Sequence, residues 1–446
     1  MPVKCDQCGV ETTVEASFFR ERARISESVL TESVRIFCPR CWGKRKESAL
    51  KRSFLRIFGV GVLGLGLTVA LPEIGLGRFL LNLFLFEVFL VLTVLPHELG
   101  HAWMARLLGM RVFKVYVGTG KTLFSARLFG LDMEFRAFPG SGVVVAGHRV
   151  VEWMRLRNFA FVLAGPAVNF VLAAVVWRFL DVRLLWSFGP LDEGMQPGLV
   201  FLYANLLVLV LNLWPRNVNT VVGPIPSDGK QLMLAFFLSR KKRELMHCNS
   251  FILEASFCHQ RGDEAAQVWV ERGLGLYPNN ETLLNLQGIL AIERGQYADA
   301  RECFSKLLHR ESKAPLMRPL MLNNIAYVNA LIGGEALIKE ADEFSQEAMK
   351  EIAWMPAIRG TRGAVLAALG RPEEAFPLLH EAMREAETPS SKAANACLIS
   401  MLKARCGNLD EARNFLKEAR AFHAKCYLLK DADAVLREKE REKLSA

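Results

Sequence analysis

Apolar residues are spread unevenly along this chain of 446 residues. They gather between about Ile57 and Leu238, while the flanking sequence reads as ordinary amphipathic sequence. Four runs are apolar enough to form membrane-crossing helices, which need roughly 17–25 residues. They are Ile57 to Leu76, rich in glycine, then Phe79 to Leu108, Asn158 to Leu180 and Gly198 to Trp214. A fifth, Gln231 to Leu238, is too short to cross and predicts a membrane-embedded or interfacial helix.

Between the second and third runs the pattern changes. Val112, Val115, Tyr116, Val117 and Val143 to Val145 are strand formers, broken by Gly118, Gly120, Gly130, Gly140 and Gly142. Residues 111–149 therefore read as a β-hairpin-containing loop at the interface. After Arg243 the pattern becomes paired helices. Glycines 262, 295, 333, 370 and 407 recur at intervals of 33, 38, 37 and 37. Ala266, Ala300, Ala375 and Ala412 follow at a near-fixed offset, and Ala341 lags. A period of about 34 with small residues at packing positions is the tetratricopeptide pattern, although a generic helical solenoid packs by the same logic.

Charge orients the apolar runs. Residues 1–243 carry a net +13 and residues 244–446 a net −3. The basic excess flanks apolar sequence: Arg40 to Arg56 holds seven Lys/Arg before the first run, and Arg240 to Arg243 follows the last apolar helix. The intervening loops 72–78 and 181–197 hold only Arg78 and Arg183. The positive-inside bias explains this excess, so no nucleic-acid partner is expected. Four crossings with both termini cytoplasmic satisfy it, and no secretory signal peptide opens the chain.

His97 and His101 stand four residues apart, so on a helix they share one face and can hold one metal. With a third protein ligand and an open position, zinc held there makes a hydrolytic site, and Glu98 can move the proton. The bland alternative is a packed helix face, which in an apolar span would bury three costly polar groups. Pro96, inside the same run, removes a backbone donor; it either opens the helix to water or makes a packing kink. Glu87 lies roughly 15 Å away along the helix, too far to share the metal. Asp228, in Pro226-Ser227-Asp228-Gly229, is the best candidate; equally, it could cap the helix after it. Asn169, just past Gly165-Pro166, needs a partner if buried, either another helix or a substrate carbonyl. At the N-terminus Cys5-x-x-Cys8 and Cys38-x-x-Cys41 look like two zinc knuckles closing a structural site, with free thiols or disulfides as the alternative. The other six cysteines are scattered, which suits a reducing compartment.

Together, His97-Glu98-x-x-His101, Gly165-Pro166-x-x-Asn169 and Asp228-Gly229 in this order resemble the site-2 protease family of intramembrane metalloproteases over roughly residues 55–240. The resemblance implies that His97, His101 and Asp228 bind the catalytic zinc, that Glu98 is the general base, and that Asn169 helps hold the substrate carbonyl. It also implies a bacterial plasma-membrane location, and a β segment near the site that pairs with an unwound substrate. One departure stands out: Asn212-Leu213-Trp214-Pro215 runs through a longer connection before Pro226, and Ser227 replaces the usual leucine.

The expected fold class is mostly α, in four parts. They are a zinc-ribbon-like module (1–50), a site-2-protease-like transmembrane domain (51–243), tetratricopeptide-like repeats (244–432) and a charged tail (433–446). The expected cofactors are one catalytic and one structural zinc. The expected function is cleavage of a membrane-protein substrate with release of a cytoplasmic regulator, the repeats holding a protein partner. The alternatives are a catalytically idle scaffold, kept open by the altered spacing before Asp228, and a zinc enzyme with a non-peptide substrate.

Overall fold

The apolar runs fold as helices that turn their polar residues inward and leave large apolar side chains outside. The structure is a computed structural model describing residues 2–4, 11–13, 19–23, 33–37, 39–71, 73, 75–180, 196–220, 223–310, 317–386 and 388–445. Two compact units divide the chain: residues 44–269, and residues 1–43 with 270–446.

In the second unit the N-terminal residues form two short antiparallel ladders. β1 (Pro2–Lys4) pairs with β2 (Glu11–Thr13), and β3 (Phe19–Ala23) pairs with β4 (Ser33–Phe37). Cys5, Cys8 and Cys38 lie outside the described residues, as does the side chain of Cys41, so the structural-zinc expectation lies outside them too.

The membrane-type unit is built on α1 (Pro39–Ala70), α2 (Leu76–Leu92) and α3 (Val94–Leu107). The glycines of α1 allow close packing: a Cβ at Gly64 would sit 2.9 Å from Leu80 Cβ of α2. The α2–α3 break falls at Thr93, next to Leu92, the residue whose carbonyl the Pro96 ring opposes four positions on. By length and composition, Leu76–Leu107 and Met154–Trp177 are long and apolar enough to cross a membrane, and Leu55–Ala70 and Pro197–Leu213 are shorter apolar helices. Leu63, Val69, Phe170 and Val210 are exposed, while Asn82, His97, Glu98, Asn169 and Asn205 are buried. Water would drive the opposite arrangement; a lipid solvent favours this one.

After α3 come β5 (Arg111–Leu128) and β6 (Leu131–Gly147), joined at Phe129 and Gly130, both in the left-handed region. These are the strand formers read from the sequence, but the pairing is richer than a hairpin. Val115, Tyr116 and Val117 pair with Val144, Val143 and Gly142 on one side and with Met133, Glu134 and Phe135 on the other. Both strands thus fold back on themselves, leaving 122–128 and 142–147 as the outer edges. Lys114, Arg136 and Thr122 surround the buried carboxylate of Glu134 and neutralise it between the ribbons.

The unit closes with α4 (Met154–Trp177), α5 (Pro197–Leu213), the β7 (Asn217–Thr220) and β8 (Gly223–Pro226) hairpin, α6 (Asp228–Phe236) and α7 (Arg240–Gln260). The pattern of paired helices was read from residue 244 onward; α7 lies within the unit 44–269 and packs on the sheet. Phe257 stacks on Phe113, Glu254 pairs with Arg111, and Arg261 beyond its end pairs with Asp132.

From α8 (Ala265–Leu276) onward the chain is a run of helices: α9 (Glu281–Glu293), α10 (Tyr297–Leu308), α11 (Met317–Ile332), α12 (Glu335–Ile352), α13 (Pro356–Ala368), α14 (Pro372–Glu385), α15 (Pro389–Arg405) and α16 (Leu409–Phe422). The last, α17 (Leu429–Ser445), takes in the charged tail. Gly295, Gly333, Gly370 and Gly407 have positive φ between paired helices, as their spacing implied. Ala300, Ala341, Ala375 and Ala412 are fully buried, so the small residues do sit where the helices approach.

Candidate metal centre

Two elements distant in sequence, α3 and α6, meet at one point. α3 presents His97 and His101 one turn apart, as the spacing required. His97 Nε2 lies 3.2 Å from His101 Nε2, and the Oδ2 of Asp228 lies 3.1 Å and 3.5 Å from the two. Two ligands held at about 2.05 Å in a tetrahedral zinc shell are about 3.3 Å apart, so this donor set has the dimensions of a zinc site.

The protons on the two rings agree. The Phe201 carbonyl can only accept, so Asn205 turns its Nδ2 towards it (3.0 Å) and its Oδ1 towards Asn169. Asn169 Nδ2 donates to that Oδ1 (3.1 Å), which leaves Asn169 Oδ1 to accept from His97 Nδ1 (2.6 Å). His101 Nδ1 likewise donates to the Phe161 carbonyl (2.8 Å). Both Nδ1 atoms therefore carry the proton, and both Nε2 lone pairs converge on the Asp228 carboxylate. Such a set of lone pairs is complementary to a cation, and the outer partners fix its orientation.

Asp228 reaches the site because the long connection before it is not slack. β7 and β8 pair Asn217 with Pro226, so the chain returns to where it left α5. Ser227 fastens the two ends. Its hydroxyl donates to the Trp214 carbonyl (2.7 Å) and accepts from the Arg216 and Lys230 amides. The cap role belongs to Ser227, which frees Asp228 for the site. Gly229 is required for the approach: a Cβ there would overlap the Leu213 carbonyl.

A cavity of about 510 Å³ opens on this centre, lined by His97, Glu98, His101, Asp228 and the strand Gly142–Gly147, with Met246, Ser250 and Leu253 of α7 opposite. A Cβ at Gly142 would overlap the Glu98 side chain, and one at Gly165 the His101 imidazole. Backbone thus closes on both functional side chains where only glycine fits. Asn212 lines the cavity, whereas Asn169 is fully buried behind His97. His148 is on the wall too, buried and with neither ring nitrogen in a well-formed hydrogen bond. Burial holds its pKa down at about 4, Asn158 opposing and Arg157 and His247 adding to the shift.

The sequence profile of peptidase family M50 matches residues 85–355, more than half of the chain. The chain belongs to peptidase family M50. Among curated relatives it is 30% identical over 136 residues to the zinc metalloprotease Rip1 of Mycolicibacterium smegmatis, covering 26% of this chain and 32% of that protein. It is 28% identical over 179 residues to the protease RseP of Yersinia pestis, covering 32% and 40%. The chain thus spans about a third of the length of the curated relatives it matches. A tetratricopeptide-repeat protein of Thermus thermophilus superposes with a TM-score of 0.34 at 19% identity, covering 42% of this chain and 98% of that one.

His97, His101 and Asp228, which the structure brings together, were legible in the sequence. Asn205, the Phe161 carbonyl and the glycine contacts were not. Asn205 alone left a signal, as an amide inside an apolar run.

Proposed function

We propose that this chain is an intramembrane zinc metalloendopeptidase. It hydrolyses peptide bonds in or near transmembrane segments of membrane-anchored proteins and releases a cytoplasmic regulator. The observation that carries this reading is the convergence of His97, His101 and Asp228 beside Glu98, inside a bundle of helices with apolar outer faces. Zinc held by the three would supply Lewis acidity towards a water and a peptide carbonyl. The Glu98 carboxylate takes the proton of the attacking water and gives it to the leaving amine.

The outer edge 142–147 takes the substrate as an added strand. Its backbone donors and acceptors replace the hydrogen bonds that an unwound transmembrane segment loses, which matters where water is scarce. Because Gly142 lies against Glu98, a strand added there passes the proton-transfer group. Asn212, on the cavity wall, is placed to meet a substrate carbonyl. Asn169 acts one step back, as a positioning residue for His97.

In the membrane, α1, α2 with α3, α4 and α5 make four crossings of a bacterial plasma membrane with both termini cytoplasmic. The N-terminal cysteines hold a structural zinc, and the helical repeats hold a protein partner, an adaptor or the substrate itself.

The test uses a trap. Glu98→Ala protein, isolated from its native membrane, should retain the zinc content of the parent, fail to cleave, and carry the uncut substrate with it. Undiminished cleavage by that variant would remove the mechanism.

A further inference from the structure

In a stacked helical array each hairpin touches only its neighbours. Among the described residues of 270–446, Tyr427 does not follow that rule. Tyr427 follows α16, yet its hydroxyl lies 2.6 Å from the hydroxyl of Tyr327 on α11. Between them in the chain lie the whole α13–α14 hairpin and the α15–α16 hairpin. The Tyr427 ring packs against the apolar cluster of α9, α10 and α11 that includes Leu284, Phe304 and Val328, and also against the cluster of α13 to α17. A helix that merely capped the last hairpin would reach only the second.

Tyr427 is half-buried, and its neighbours in the chain are buried. Cys426, Leu428 and Leu429 are all buried, and the Cys426 thiol meets that of Cys397 on α15. Tyr297 at the start of α10 completes the surroundings. Burial raises its pKa and, more strongly, those of Tyr327 and Tyr427, so the phenols stay neutral hydrogen-bonding groups. The arrangement is one aromatic anchor with its hydroxyl paired, followed by two aliphatic side chains, seated across non-adjacent hairpins. That is how a short peptide is held by a groove.

We propose that Cys426–Leu429 is an intramolecular ligand of the repeat array. The external partner is then a protein segment carrying an aromatic residue followed by aliphatic ones, which binds by displacing it. This deepens the reading of the repeats as a partner-binding module and is independent of the metal centre. A tethered segment acts at an effective concentration of order millimolar, so weak competitors are excluded and only a matching segment gains entry.

The experiment uses a fluorescent peptide spanning His423 to Asp431 and three forms of the protein: wild type, a chain ending at Phe422, and full-length Tyr427→Ala/Leu428→Ala. Wild type should show no saturable binding. The shortened chain and the double variant should bind one peptide each. Replacing the Tyr427 position of the peptide with alanine should weaken binding roughly tenfold, as loss of a central aromatic anchor does. A shortened chain that keeps its helical circular dichroism but binds no peptide overturns the proposal. So does equal binding by wild type. Should the shortened chain unfold, hydrogen exchange decides: the double variant must lose protection over 426–429, and protection equal to wild type overturns the proposal. None of these readouts involves proteolysis, so failure of the protease reading would leave them unchanged.

Discussion

Gly142, on the edge strand of the sheet, lies so close to Glu98 that a Cβ on it would overlap the carboxylate side chain. The edge proposed to take substrate and the proposed proton-transfer group are therefore in contact. Gly142→Ala must move one or the other by a substantial fraction of an ångström. We expect kcat to fall by about 10²-fold, the usual cost of misplacing a reacting group. Bound zinc should be unchanged, because the three atoms nearest that Cβ all belong to Glu98. Cleavage of a membrane-anchored reporter and metal analysis on one preparation check both halves.

Asn169 and Asn205 form a directional relay that ends on the Nδ1 of His97. Asn169→Ala removes the acceptor that sets the ring's tautomer, and zinc affinity should drop 10–100-fold, as for outer partners of ligating histidines. Asn205→Ala acts one bond further away and should cost less. Titration with a zinc chelator ranks the two; a loss from Asn205→Ala equal to that from Asn169→Ala would contradict the relay.

Gly229→Ala should be the more damaging of two changes at the turn before α6. Its Cβ would overlap the Leu213 carbonyl, pushing Asp228 away from the histidines and releasing metal. Ser227→Ala removes the fastening between Trp214 and α6 and should destabilise the turn by roughly 1–2 kcal/mol while retaining some zinc. Metal content after gel filtration separates them.

His148 makes the end of β6 sensitive to acid. Its pKa falls from 6.5 to about 4 on folding, chiefly through burial. Between those values the unfolded segment binds more protons than the folded one. Local stability is therefore complete above pH 6.5 and is lost as pH falls towards 4, by at most roughly 3 kcal/mol. Hydrogen exchange over residues 144–150, corrected for intrinsic rate, should show weaker protection at pH 5 than at pH 7. His148→Gln should flatten that difference.

Local pattern carried much of this structure. The spacing of His97 and His101, the strand formers of 111–149 and the periodic glycines of the repeats each translate directly into a face, a sheet or a turn. Asp228 was ambiguous because its neighbour Ser227 does the capping, a division of labour that depends on the Trp214 carbonyl. The back-folding of β5 and β6 was hidden because Val115 to Val117 have partners on both sides, and alternation along a strand does not say how many neighbours it has. Asn169 read as needing either another helix or a substrate carbonyl, the resemblance implying the latter. The structure brings it to His97, a choice set by Asn205 and Phe201 on α5, far away in sequence. Glycines 142, 165 and 229 look like turn or packing residues until the side chains they face are known.

The most direct test of the account is a count of zinc in purified protein whose Cys5, Cys8, Cys38 and Cys41 are replaced by serine. One zinc per chain is predicted, falling to near zero when Asp228→Ala is added. No zinc in the parent, or a full equivalent retained without Asp228, would contradict the site.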